Sequence, residues 1–453
     1  MIRKSLCGAG ALGASLFAAG AAWAQDAAQD VAAAAPPVPD AGNNAWMMTA
    51  TVLVLMMILP GLALFYGGLT RQKNMLATMT QVGATAALAM LVWVLWGFST
   101  AFGPEGNAFF SWGNAFLLNS SPDTTAATFT DGVVISEYVF ISFQMTFAAI
   151  TAALVLGAVV ERMKFSAVMV FMVVWLTIVY FPIAHMVWAG GGFLAEGGMF
   201  GTDLPVALDF AGGTVVHINA GVSALVACLV LGKRKGYPTE PMPPHSLTLT
   251  MVGTGLLWVG WFGFNAGSAL EANGSAGLAV INTFVATASA GLAWMVAERV
   301  MGHKASALGF CSGVISGLVA VTPAAGNSGP LGAIVLGAAA SMICYVAVAK
   351  LKPALGYDDS LDAFGIHGIG GMVGAIGTGI VFSPALGGPG DADFVMSAQV
   401  VTQIVAVLTA IVWAGVGTLI AIYAAKIVTG LRVSPEIEVE GLDIGEHGER
   451  AYN

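Results

Sequence analysis

Six histidines occur in the 453 residues, and two of them, His217 and His367, fall inside apolar runs rather than between them. His217 lies about eight residues into one run and His367 about six into another, so at about 1.5 Å per residue both rings sit deep in apolar surroundings. A neutral imidazole is one donor and one acceptor, so two facing rings would form a polar line through a greasy passage. The alternative is that each ring bonds a neighbouring helix and only packs. Matched surroundings favour the passage, because each follows an aspartate and glycines: Asp209-Phe-Ala-Gly-Gly-Thr-Val-Val-His217 and Asp362-Ala-Phe-Gly-Ile-His367. Asp209 and Asp362 read first as carboxylate caps on free helical amides. Asp209 would also set a negative charge at the mouth, where a cation is favoured.

Aromatic residues form the second constellation. Phe143 and Phe147 stand at i and i+4, on one helix face. Trp188 ends another apolar run just before three glycines, and a third run reads Gly260-Trp-Phe-Gly-Phe-Asn-Ala-Gly-Ser268. Singly, these would be core or interfacial belt residues. Gathered at one mouth, an aromatic face attracts a small cation by about 0.5–2 kcal/mol per contact, and Ser268 adds an acceptor oxygen. His185 reads as an interfacial residue, and His245, His303 and His447 as solvated loop or tail residues. Cys228, Cys311 and Cys344 are scattered through apolar segments, as small core residues are. No phosphate-cradling loop, zinc-protease helix or nucleophile elbow is present in the sequence. The chain therefore reads as a non-enzyme with neither cofactor nor metal.

The elements that hold these residues follow from composition. Hydrophobic residues make up 57% of the chain and charged residues 9%, against roughly 25% charged in soluble domains, which excludes a water-soluble enzyme. Glycine, at 59 residues, permits close helix packing. Sixteen basic against 25 acidic residues argue against a nucleic-acid partner. Arg3, Lys4, the apolar Leu6–Ala22 and Ala22-Trp-Ala24 read as a signal peptide over residues 1–24. An uncleaved helix is the alternative, made poor by its four glycines. Residues 25–44 read as a short periplasmic arm, residues 45–428 as the membrane domain and residues 429–453 as a cytoplasmic tail.

Eleven apolar runs are long enough to cross a bilayer, at about 20 residues each: roughly 45–69, 75–102, 132–160, 165–188, 210–232, 247–270, 276–297, 305–321, 331–349, 361–382 and 396–427. With Arg3 and Lys4 set aside, every Lys and Arg lies at the end of an odd-numbered run or after it, while the other loops carry acids alone. The positive-inside rule then puts the N-terminus outside and the C-terminus in the cytoplasm, as an exported leader also demands. The echo between the fifth and tenth runs predicts an inverted repeat of two five-helix halves, plus one peripheral helix. The fold class is an all-α polytopic membrane protein.

These strings, with Pro60-Gly-Leu-Ala-Leu-Phe-Tyr-Gly-Gly68, Phe364-Gly-Ile-His-Gly368 and the tail Gly441-Leu-Asp and His447-Gly-Glu, resemble the ammonium transporter family (Amt/Mep/Rh), most closely its bacterial branch, from about Asn44 to Asn453. The resemblance implies a homotrimer in the inner membrane, with one pore per eleven-helix protomer and ammonium or ammonia as substrate. It implies a recruitment site of Phe143, Phe147, Trp188 and Ser268 with Asp209 beside it, a gate of Phe147 and Phe264, and a pore lined by His217, His367, Trp261 and Tyr66. It further implies a cytoplasmic PII-type signal protein that docks on the tail and loops. Two other readings stay open: an ammonium sensor that reports to PII, and an Rh-like channel for neutral gas.

Overall fold

The computed structural model describes residues 37–195, 198 and 205–452. The expected signal peptide, residues 1–24, lies outside the described residues, as do Glu196 and Asp203. Among the described residues, eleven helices are long and apolar enough to cross a membrane. They are α1 (Ala41–Leu69), α2 (Gln72–Phe102), α3 (Glu137–Ala158), α4 (Phe165–Trp188), α5 (Gly213–Leu231) and α6 (Leu247–Gly267). Then follow α7 (Gly274–Val300), α8 (Ala307–Ala324), α9 (Pro330–Leu355), α10 (Phe364–Val381) and α11 (Met396–Thr429).

Where helix ends depart from expectation, hydrogen bonding gives the reason. The expected arm, residues 25–44, gives up its last four residues to α1, because the Asp40 carboxylate accepts from Asn43 N at 2.7 Å and caps the helix there. Helix α3 starts at Glu137 because the residues before it pair in a hairpin: β3 (Thr125–Ala127) with β4 (Val134–Ser136). Another short pair, β1 (Glu105–Gly106) with β2 (Ser111–Trp112), lies in the same loop. Helix α9 runs on to Leu355, where Gly356 at φ 68° ends it in a left-handed turn.

The central helices α3, α5 and α8 are the most enclosed. The longest, α11, is the least enclosed and packs against α4, α5 and α10. Glycine makes the closest of these approaches possible: a methyl added to Gly221 on α5 would land on the backbone of Gly368 on α10. The two histidine helices thus touch backbone to backbone.

The loops segregate to two ends. At one end the basic residues meet buried acids. Glu161 receives Arg71 at 3.0 Å and Arg234 at 2.9 Å, and Arg234 also reaches Asp358 at 2.7 Å. Burial alone would raise Glu161, but Arg234 and Arg71 hold it below the usual carboxylate range. Arg162, fully buried, donates to the carbonyls of Ala158, Val160, Gly232 and Asp358 and to Ser360 Oγ. The tail folds onto this end as α12 (Pro435–Glu440) and α13 (Leu442–His447). Leu442 is fully buried there, Ala77 N donates to Asp443 and Lys235 N to Glu438, and Arg432 pairs with Glu438 at 2.7 Å. The loops of the other end bond one another, as in Thr130 N to the Glu271 carboxylate and Phe193 N to Ala108 O. We name the end with the basic loops inner and the opposite end outer.

Candidate functional site

Three cavities follow one another through the helix bundle. The outer one, about 830 Å³, is lined by Gln144, Phe147, Trp188, Asp209 and Ser268 among others. The inner one, about 450 Å³, is lined by Tyr66, Lys352, Asp362 and His367 among others. Between them is a void of about 10 Å³, bounded by His217, His367, Trp261 and aliphatic side chains such as Ile150, Leu154 and Leu257. That is the size of a single water.

At the floor of the outer cavity the rings of Phe147 and Phe264 stack 4.2 Å apart and only 8° from parallel. Trp188 meets Phe147 edge-on at 5.8 Å, held there because its indole N–H donates to Asp209 O at 2.9 Å. Ser268 ends α6, and its hydroxyl donates to Phe264 O at 2.9 Å. With the hydroxyl proton committed inward, the oxygen's lone pairs are left to accept. Phe143 differs from expectation. Fully buried, it packs behind Phe147 at 4.9 Å and against Gly267, and it is not part of the cavity lining. Its ring braces Phe147 from behind rather than facing the cavity.

Asp209 sits at the start of α5 with both carboxylate oxygens engaged. They accept from the amides of Gly212, Gly213, Thr214 and Val215 at 2.5 to 3.0 Å. This is the capping arrangement, so its charge is spent on the helix amides rather than offered to a cation. Burial pushes its carboxyl up to about 6, against the downward pull of those four bonds. Helix α5 then opens in a wide π-type turn, Gly213–Ile218, that carries His217.

The corresponding assignment for α10 needs correction. Asp362 is not the cap. It adopts φ 61° and accepts from Lys352 Nζ at 2.6 Å. The capping carboxylate is Asp359, whose oxygens take the amides of Ala363 at 3.1 Å and Phe364 at 2.7 Å. Burial pushes Asp359 up to about 6. The π-type turn that follows, Phe364–Gly368, carries His367. Capping aspartate, wide turn and histidine thus recur in α5 and α10, which are five spans apart.

The histidines face each other with Nδ1 to Nδ1 3.3 Å apart and ring planes 18° from parallel. Both are nearly wholly buried. Trp261 stacks on His217 with centroids 5.4 Å apart, and its N–H donates to Thr322 Oγ1. His217 Nε2 has no partner among the described residues. Tyr66 closes the inner side, its hydroxyl donating to Leu154 O at 3.0 Å. His185 is not an interfacial residue: its ring is buried, with Nδ1 2.9 Å from Ala101 O and Nε2 2.7 Å from Asn107 O, and it ties α4 to the β1–β2 hairpin. His245 is less free than a solvated loop residue, because its ring lies against Thr70 O and Tyr452.

Gln144 has no part in the sequence reading, although a polar residue beside two aromatics on an otherwise apolar helix is itself a signal. The buried network of Glu161, Arg234 and Asp358 left no trace in spacing, because its members come from distant loops.

Comparison with known proteins bears on the whole chain. Residues 45–452 match the family model described as the Ammonium Transporter Family. An ammonium transporter of Aquifex aeolicus is 47% identical over 414 residues, covering 91% of this chain and 94% of the relative. One from Bacillus subtilis is 42% identical, covering 91% of this chain and 98% of the relative. Among solved structures, Saccharomyces cerevisiae Mep2 superposes with TM-score 0.77 at 35% identity, covering 88% of this chain and 90% of its own. A chain described as a sensor Amt protein gives TM-score 0.79 at 28% identity, covering 90% of this chain and 98% of its own.

Proposed function

Since the chain belongs to the ammonium transporter family, we propose that it recruits ammonium from outside, strips its proton at the phenyl gate and passes ammonia between His217 and His367. The carrying observation is the histidine pair, in contact at 3.3 Å between two cavities and walled by apolar side chains. Ammonium and potassium are similar in size, so a rigid cage separates them poorly. Ammonium can shed a proton and potassium cannot. Burying an unpaired ion costs several kcal/mol or more, so a conduit that admits only the neutral form excludes potassium.

The proton takes a separate path. An Nδ1 to Nδ1 contact needs one ring to donate and the other to accept. With His217 as donor, its unpartnered Nε2 is the acceptor. A proton taken there displaces the Nδ1 proton onto His367 Nδ1, and His367 Nε2 releases one toward the inner cavity. Net movement is then one ammonia and one proton.

Recruitment falls to Phe147, Trp188 and Ser268, with Phe143 and Asp209 supporting them, while Phe264 completes the gate and Trp261 and Tyr66 wall the pore. The charge pattern, with the leader expected at residues 1–24, supports a protein of the inner membrane, with its N-terminus outside and its C-terminus in the cytoplasm. The family supports a homotrimer and a PII-type partner in nitrogen metabolism. For that partner the tail offers less acidity than its composition implies, since Glu438 and Asp443 are buried in contacts with this chain. Glu436, Glu440 and Glu449 remain exposed.

The likeness to a sensor Amt chain, with a tail packed onto the pore body, favours a second reading as a sensor. An ammonium jump over proteoliposomes on a solid-supported membrane separates the readings. A transporter of this mechanism gives a current that a permeable buffer does not abolish. Binding without current marks the sensor, and electroneutral flux a gas channel.

A further inference from the structure

Gln144 stands on the face of α3 that also carries Phe140 and Phe147, and all three line the outer cavity. Its side chain is about nine-tenths buried, and its Oε1 finds no hydrogen-bond partner among the described residues. Leaving a buried amide oxygen unpaired is costly, and native structures seldom do so without a ligand or water to satisfy it. Ser268, which lines the same cavity, has turned its proton to Phe264 O and presents only lone pairs. Phe147 and Trp188 supply ring faces, which attract a cation but do not direct its N–H bonds.

We propose that the Gln144 carboxamide oxygen is a second hydrogen-bond acceptor of the recruitment site, binding ammonium together with Ser268 Oγ. The assignment rests on the transport reading above and deepens it by naming what orients the cation. Two acceptors fix two of the four N–H bonds, while the rings hold the charge. A spherical alkali cation gains nothing from that directionality. Because amide oxygen and nitrogen exchange by a half-turn about the terminal bond, the carbonyl can face the cavity whenever a cation is present.

The test is methylammonium uptake, with ammonium current beside it, in proteoliposomes bearing Gln144→Leu and Gln144→Glu. Losing a hydrogen bond to a charged ligand raises the half-saturating concentration by about tenfold or more, and Q144L is expected to do so with its maximal rate nearly unchanged. Q144E keeps an acceptor and adds charge, so its half-saturating concentration should fall to or below that of the unaltered protein. Should Q144L fail to assemble, Q144E alone decides, because a raised value there contradicts the role. An unchanged half-saturation in Q144L overturns the assignment, as does a loss confined to maximal rate, the mark of an oxygen that binds only structural water. If the unaltered protein carries neither substrate, the transport reading falls and this role with it.

Discussion

Asp209 spends both of its oxygens on four backbone amides, so in the proposed mechanism it serves the cation pathway without touching the cation. The cap fixes the wide turn that aims His217, and Asp209 O holds the Trp188 indole at the cavity. With its carboxyl pushed up to about 6, the ionised cap predominates above that pH and the protonated one below it. Transport is therefore expected to fall as outside pH drops through about 6, on a sigmoid that follows this group. Asp209→Asn cannot ionise and accepts through one oxygen only, so it should be weak at every pH and lose that step. Current recorded against outside pH in both proteins checks this. A step that persists unchanged in the Asn variant contradicts the cap account.

Helices α5 and α10 make the histidine contact because nothing larger than glycine separates them. A methyl on Gly221 would meet the backbone of Gly368, one residue from His367. Gly221→Ala must push the helices apart, and a 3.3 Å contact is at the outer limit of a useful hydrogen bond already. Current is expected to fall by about tenfold or more, since displacements near 1 Å commonly cost far more than that. Full activity in Gly221→Ala would mean that the two rings need not touch. This element pair also marks what the sequence hid. The histidines and Asp209 were legible because ionisable or polar groups stand out in apolar runs. Asp362 misled because it sits next to the helix, whereas the cap is made by Asp359, four residues before the first amide it receives. Cap geometry depends on the path of the backbone, which spacing does not encode.

At the scale of the molecule, eleven spans were legible from hydrophobic length alone, and their ends shifted only where a cap or a hairpin intervened. The docking of the tail was not legible, since it depends on single contacts such as Leu442 N to Asn74 Oδ1 at 2.9 Å. The loops gather at two ends, so sidedness can be tested simply. Of the four cysteines, Cys228, Cys311 and Cys344 are buried, and a Cys7→Ser background removes the fourth, which lies in the expected leader. A cysteine at exposed Asp391 should react with an impermeant thiol reagent on intact spheroplasts, and one at exposed Glu449 only after lysis. The reverse pattern would invert the whole arrangement. The central claim, that nitrogen passes two facing imidazoles only as neutral ammonia while those rings carry the proton, is met most directly by ammonium and potassium jumps over His217→Ala, His367→Ala and the double variant. The account predicts that ammonium current is lost, or that it survives only with potassium now passing as well. Ammonium current that persists with potassium still excluded would contradict it.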